Sequence, residues 1–196
     1  MSQLIKIIYM KSKIIYIVFL LGIIFCKSQI ISLDQLSQCE NGNCPNYTSV
    51  KDTNNRLDKF VGIWKGTYSN GRIYEFHFSK KNDFILYNGK PRDMIIGRML
   101  VKMNDGTELE NTINSIDSET HFNGLEFYKD LVRYQMYYSG NAECNDKGYV
   151  YLSFPDPNNL SQLKLVFVQD NDIIASCPNT YQTVMPNAKA LILTKQ

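Results

Sequence analysis

The sequence predicts an all-β protein: one up-and-down antiparallel barrel of eight to ten strands at residues 57–196, behind a signal peptide at 1–28 and an extension at 29–56. Three observations predict it. From Phe60 onward apolar and polar residues alternate with period two, as in a strand with one buried face. Turn residues punctuate that pattern every 8–14 positions, and no segment carries a long helical period. Short connections imply antiparallel neighbours in a meander, and closing the sheet removes its exposed edges. A sandwich is the alternative, but sandwiches usually need longer Greek-key crossovers.

The chain opens with Lys11 and Lys13, followed by twelve uncharged residues at 14–25. That is a positive n-region and an h-region too short to span a bilayer comfortably. Cleavage after Ser28 places the small residues Cys26 and Ser28 at the −3 and −1 positions, and the mature chain begins at Gln29. A rival route exists, because Ile23-Ile24-Phe25-Cys26 resembles a lipoprotein box with Cys26 as the lipidated residue. The first route gives a periplasmic or secreted protein, the second one anchored to the envelope.

Export changes the charge. The full chain is formally +2, but all four charged residues of 1–28 are lysines, so the remainder carries 17 basic and 19 acidic residues and is −2. No basic stripe remains to support nucleic-acid binding. Export also leaves four cysteines, Cys39, Cys44, Cys144 and Cys177, and an even number in an oxidising compartment reads as disulfides. Four cysteines allow three pairings. Glu40-Asn41-Gly42-Asn43 is a turn that favours Cys39–Cys44 with Cys144–Cys177.

Residues 29–56 are polar. Ser32-Leu33-Asp34-Gln35-Leu36 can start one helical turn, and Asp52 offers an N-cap before Arg56-Leu57-Asp58-Lys59-Phe60. The first strand follows. Phe60, Gly62, Trp64, Gly66 and Tyr68 share one face, large rings alternating with gaps, as suits the inside of a strongly curved sheet. Asn70-Gly71 is the hairpin turn. The next strand puts Tyr74, Phe76 and Phe78 on one face. A short strand at 83–87 ends at Asn88-Gly89. A longer one at 94–103 aligns Ile95, Gly97, Met99 and Val101, and turns at Asn104-Asp105-Gly106 into a polar edge strand at 107–113. Residues 114–123 read as loop and 125–128 as a brief strand. The stretch 131–138 aligns Val132, Tyr134, Met136 and Tyr138. Val150, Leu152 and Phe154 define the next strand, Pro155–Asn159 a turn, and strands at 163–168, 173–175 and 191–193 close the series.

The chemistry of known sites is absent from this pattern. There is no metal motif, no Gly-rich phosphate loop and no G-x-S-x-G, and the sequence calls for no cofactor. His77 falls mid-strand among aromatics and His121 in a polar loop, both structural or surface histidines. Glu108 and Glu110 could pair as catalytic carboxylates, but they sit on the most polar strand, where a solvated face is the simpler reading. The unusual quantity is aromatic: thirteen Tyr and ten Phe, with Tyr134, Tyr137, Tyr138, Tyr149 and Tyr151 close together in sequence. Such residues suit either a filled core or a pocket for a partly polar ligand.

Gly62-Ile63-Trp64 resembles the G-x-W of the first strand in lipocalins and the wider calycins. In that group the tryptophan packs at the closed end of the barrel under a late-strand arginine; here the only nearby C-terminal cation is Lys195. A closer likeness covers nearly the whole mature chain. Cys26-Lys27-Ser28-Gln29, residues 51–55, 60–64 and 93–97, Asn104-Asp105-Gly106, Asn111-Thr112 and the terminal Leu193-Thr194-Lys195-Gln196 resemble an exported bacterial family known as a domain of unknown function. That resemblance implies a lipocalin-like barrel and transfers no activity. The resulting expectation is an exported, non-catalytic protein. It would hold a small apolar or amphipathic ligand against Trp64, Tyr74, Phe76, Phe78, Met99 and Tyr134. The alternative is a filled barrel acting as a protein-interaction or envelope module through its outer face.

Overall fold

The computed structural model describes residues 29–39, 44–86, 89–172, 177–178 and 180–196. The signal peptide, Cys26 and Ser28 lie outside the described residues, as do the 40–43 turn and the short strand expected at 173–175. Among the described residues no helix is long and apolar enough to cross a membrane.

Eight strands close a barrel: β3 (Gly62–Thr67), β4 (Ile73–Ile85), β5 (Pro91–Lys102), β7 (Phe122–Phe127), β8 (Tyr134–Ser139), β9 (Lys147–Ser153), β10 (Gln162–Gln169) and β11 (Ala190–Lys195). They follow one another round the ring in chain order, all antiparallel. β7 pairs with β5, and β11 pairs with β3. Three further strands attach to the long β5. β1 (Ile30–Ser32) runs parallel to β2 (Ser49–Lys51), β2 runs parallel to the start of β5, and β6 (Glu108–Asn111) pairs with its far end. The lone edge of β5 is therefore shared by β2, β7 and β6 in succession.

The period-two pattern is the cause of this arrangement. Trp64 of β3, Tyr74, Phe76 and Phe78 of β4, Met99 and Val101 of β5, Tyr134, Met136 and Tyr138 of β8, and Val150 and Leu152 of β9 all point inward and are buried. Glycine is required where two elements meet closely. A Cβ on Gly97 would lie 2.8 Å from the Phe78 ring and 2.9 Å from the Phe122 Cβ. On Gly66 it would collide with the Ile192 carbonyl of the closing strand.

Several boundaries differ from the sequence pattern: β5 begins at Pro91 rather than 94, and β8 begins at Tyr134 rather than 131, because Leu131 takes a positive φ of 57° in the turn and leaves Val132 exposed. The strand expected to start at 83 is not separate, because β4 continues to Ile85 through an irregularity between Lys81 and Phe84. Asp83 takes a positive φ of 53°, and its N–H donates to the Asp93 carboxylate at 3.0 Å, which lets the chain kink without leaving the sheet. β7 begins at Phe122 rather than 125, since Phe122 packs on Phe76 and Tyr138 inside the barrel.

The extension is built into the same core. A capping box between Ser32 and Gln35 starts α1 (Leu33–Ser37), and Ile31, Leu33, Leu36 and Val50 join the main apolar cluster. Asp52 caps the next turn, accepting from the N–H of Arg56 and Leu57 at 2.8 and 3.0 Å. That turn delivers Phe60 to the barrel's closed end. Phe60 stacks there on Tyr134 and meets Phe154 at a tilt, its carbonyl accepts from Trp64 Nε1 at 2.8 Å, and Lys195 lies 5.3 Å over the Trp64 ring. Both disulfides join as the turn sequence predicts, Cys39–Cys44 and Cys144–Cys177.

Candidate functional site

The six aromatic and apolar residues singled out in sequence occupy the barrel interior, and they fill it against one another. Trp64, Tyr74, Phe76, Met99 and Tyr134 are 0% exposed and Phe78 is 3%. Tyr74 stacks on Phe76 at 6.1 Å, Phe76 on Phe78 at 5.7 Å, and Phe122 meets Phe76 edge-on at 5.6 Å. The Tyr134 hydroxyl accepts from the Ile95 N–H at 3.3 Å. None of the six lines the surface clefts of about 700, 510, 490 and 310 Å³.

The largest of those clefts, about 700 Å³, opens at the end opposite Trp64, where the β3–β4 hairpin and the β8–β9 and β10–β11 connections converge. The barrel interior is covered there by residues 181–185, and three side chains hold that cover. Arg72, delivered by the Asn70-Gly71 turn, donates to the carbonyls of Thr183 and Val184 at 2.6 and 3.1 Å and to the Gln182 side-chain oxygen at 3.1 Å. The Tyr74 hydroxyl donates to the same Val184 carbonyl at 2.8 Å. Asp146 is delivered by the turn Ala142–Cys144 and the left-handed Asn145. Its Oδ2 accepts from the Tyr181 hydroxyl at 2.7 Å and the Val184 N–H at 2.9 Å. The Cys144–Cys177 disulfide ties the β10–β11 connection down beside it.

The cleft runs over this cover. Glu110 of β6, His121 at the start of β7, and Tyr138 of β8 form one wall; Tyr181 and Gln182 form the other. The Glu110 carboxylate stands 4.0 Å from His121 Nδ1, and the His121 ring meets Tyr138 edge-on. Asp146, bonded to Tyr181 and Val184 of the cover, is 0% exposed and outside the cleft lining. Burial pushes its carboxyl up, although the Val184 N–H, the Tyr181 hydroxyl and Arg72 pull the other way. Burial likewise pushes the phenols of Tyr138 and Tyr181 far up, and the carboxylates of Asp146 and Glu110 push both further. The cleft is thus an aromatic-walled concavity whose lining holds one carboxylate, Glu110, and one guanidinium, Arg72.

Sequence reasoning assigned His121 and Glu110 to a loop and a solvated strand and passed over Tyr181 and Asp146. Pairing of β5 with both β6 and β7 is what joins Glu110 to His121, and no local spacing signals it. His77 is elsewhere, on the outside of β4 and 2.6 Å from Glu75. The sequence cluster of tyrosines splits by parity. Tyr134 and Tyr138 point inward, whereas Tyr137, Tyr149 and Tyr151 face out, with Tyr137 and Tyr149 edge-on at 5.5 Å. A second cleft of about 510 Å³ lies beside Cys39–Cys44, with Tyr47, Lys90, Arg92 and Glu126. Among the described residues no group of three or more His, Cys, Asp or Glu could hold a metal ion.

A family model described as a family of unknown function (DUF6705) matches residues 10–196. No curated protein and no solved structure matches the chain.

Proposed function

The chain belongs to this family of unknown function, and we propose that it is an exported, non-catalytic binding protein whose ligand seats in the cleft at the mouth of the barrel rather than inside it. The observation that carries this reading is the division of the barrel. Its interior is packed with rings that touch one another, while about 700 Å³ of space lies outside the 181–185 cover, within the usual range of ligand sites. The two disulfides fit an extracellular or periplasmic setting. The aromatic interior then serves stability, and the three connections at the mouth serve recognition, as loops on a rigid scaffold do.

The test is a fragment screen followed by two-dimensional NMR on the oxidised protein. Fragments should shift the amide signals of Glu110, His121, Tyr138 and Tyr181 and leave the Trp64 indole signal in place. Fragments that shift Trp64 and Phe76 instead would restore the interior site. A second reading, a protein-interaction module, is favoured by the outer surface, where Tyr149, Val168 and Ile192 are about two-fifths exposed on the neighbouring strands β9, β10 and β11. Charged substitutions at Tyr149 and Ile192 would abolish that function and leave cleft binding unchanged.

A further inference from the structure

The lining of the mouth cleft mixes hydrogen-bond donors with acceptors and balances its charges, and from this we infer that its ligand is a neutral saccharide, free or at the end of a glycan. The inference rests on the reading that the cleft is the binding site, and it names the class of ligand the site selects.

Tyr138 carries the argument. It is 1% exposed, with its ring fixed against His121, Phe122 and Phe167, yet it belongs to the lining, and its hydroxyl makes no hydrogen bond to a described residue. A Cβ on Gly140, also in the lining, would collide with that hydroxyl, and glycine leaves it unobstructed. The other polar groups of the lining are of both kinds. Glu110 only accepts, and its side chain is 29% exposed. Asn141 gives its Oδ1 to the Cys144 N–H and Gln182 gives its Oε1 to Arg72, so each has its amide nitrogen left to donate. His121 Nδ1 is buried 4.0 Å from Glu110, which leaves Nε2, a donor or an acceptor according to the tautomer. The hydroxyls of Tyr138 and Thr180 do either. A ligand hydroxyl also does either, so it can pair with every one of these groups.

Ligands with one kind of polar group match only part of this lining. An ammonium donates alone: it suits Glu110 but leaves both amide nitrogens unanswered and brings a second positive charge beside Arg72. A carboxylate accepts alone and meets Glu110, while the Arg72 guanidinium is already turned to the Thr183 and Val184 carbonyls and Gln182. A wholly apolar ligand would bury the Tyr138 hydroxyl unpaired, which is costly. A peptide divides the two roles, one N–H and one C=O per residue, whereas a sugar ring carries several groups that fill both. The walls favour a ring over an open-chain polyol. The Tyr181 phenol is held by its bond to Asp146 and Tyr138 by its ring contacts, so both present fixed aromatic surface. A pyranose has a polar rim for the amides and a C–H face for such rings, and it enters with few rotors left to freeze. The cleft of about 700 Å³ is of the size that takes a disaccharide.

The test uses the full oxidised chain at pH 7, with the site read by amide shifts and affinity by titrating them. The probes are the methyl glycosides of glucose, galactose, mannose and N-acetylglucosamine. Glucosamine and glucuronate put a charge on the same ring, cyclohexylmethanol removes most of its hydroxyls, and N-acetylalanine methylamide stands for a peptide. At least one neutral glycoside should shift Glu110, Gly140 and Tyr181 and bind about fivefold or more tighter than the other four probes. The hexasaccharide of the best sugar then separates the two sources: equal or tighter binding than the methyl glycoside marks a glycan end, and weaker binding marks a free sugar. Tyr138→Phe keeps the ring and removes a hydroxyl that bonds to nothing in the fold. It should weaken the glycoside about fivefold, the worth of one neutral hydrogen bond, with a melting temperature no lower than the parent's. Glu110→Gln should weaken it about tenfold, the loss of one charge-assisted contact. If both variants bind as the parent does, or if a charged, amide or hydroxyl-poor probe binds the cleft as tightly as every glycoside, the saccharide inference is overturned and the cleft remains the site. If no probe moves a cleft resonance, or the glycosides bind only elsewhere, both the inference and the cleft reading fail.

Discussion

Replacing Cys144 and Cys177 together by serine should cost this protein about 4 kcal/mol, nearly twice the cost of the same change at Cys39 and Cys44. The figures come from the loops that the bonds close. Cys144 and Cys177 are 33 positions apart, and Cys39 and Cys44 are 5 apart. In the chain-entropy model a cross-link removes denatured-state entropy that grows with the logarithm of loop length, which gives about 4 kcal/mol for the longer loop and about 2 kcal/mol for the shorter at room temperature. For a chain of this size that corresponds to a melting temperature lower by about 8–16 °C for the first variant and about 4–8 °C for the second. The native state should change little. Residues 181–185 are held independently by Arg72, Tyr74 and Asp146, so the cover stays in place without the bond. Urea unfolding followed by Trp64 fluorescence and by circular dichroism is the assay, with the m-value of the parent and of each double variant fitted separately, since loss of a cross-link expands the unfolded chain and raises m. A loss below about 1 kcal/mol for Cys144/Cys177, or a larger loss at Cys39/Cys44 than at Cys144/Cys177, would refute the reasoning: the bonds would then act through native contacts rather than through the unfolded chain.

Phe76→Ala, at 0% exposure and in ring contact with Tyr74, Phe78 and Phe122, should destabilise by about 3–5 kcal/mol in the same urea assay, since the surrounding rings are held by the sheet and cannot collapse into the gap. Gly97→Ala should cost about 1–3 kcal/mol by overpacking, because its new Cβ would lie 2.8 Å from the Phe78 ring; a neutral outcome would mean β4 and β5 are less tightly joined than they stand here. Asp93 tests the charge network of the extension. Burial would push its carboxyl up, but the N–H groups of Asp52 and Asp83 and the Lys51 ammonium outweigh that and hold it below the usual carboxylate range. Its contribution is therefore present above the unfolded value, about pH 4, and is lost as pH falls through the lowered folded value. Asp93→Asn should accordingly lower stability by about 1–3 kcal/mol at pH 7, with a difference from the parent that shrinks as the pH is taken toward 2.

The barrel was legible because a strand's faces are written at period two. Trp64, Tyr74, Phe76, Phe78, Met99 and Tyr134 fall on one face in sequence and point into one interior in space. Period two does not report volume, however. Whether inward rings leave a cavity depends on how far they reach across the barrel, and here Phe76 and Phe122 meet in the middle at 5.6 Å. The cleft was less legible for a different reason. Glu110, His121, Tyr138 and Tyr181 sit on four separate strands or connections, and the way β5 divides its edge between β6 and β7, with β7 paired to β8, brings the first three together. Asp83 makes the same point on a smaller scale: its polar neighbours read as a break, but a hydrogen bond from its N–H to a carboxylate ten residues on keeps the strand going.

The two ends of the barrel treat buried carboxylates in opposite ways. At the extension end, Asp52 and Asp93 are each saturated. Asp93 accepts from two backbone N–H groups and Lys51; Asp52 accepts from two N–H groups and meets Lys80 at 2.8 Å. A carboxylate so provided for is a structural tie: it fixes the β1–β2 addition to β5 and gains nothing from a ligand. At the mouth, Asp146 is more deeply buried than either yet keeps one oxygen unpaired, and burial moves its carboxyl up where Asp93 moves down. Selection for stability alone would be expected to remove such a group, because an apolar or neutral side chain there would avoid the cost of desolvation. Asp146 does secure the cover through Tyr181 and Val184, but one oxygen suffices for both bonds. Asp146→Asn tests that role. It keeps an oxygen for Tyr181 and Val184 and removes the buried charge, so the fold and the cover should survive with a melting temperature at or above that of the parent at neutral pH. A melting temperature lower by more than about 8 °C would show that the charge itself, through Arg72, holds the cover.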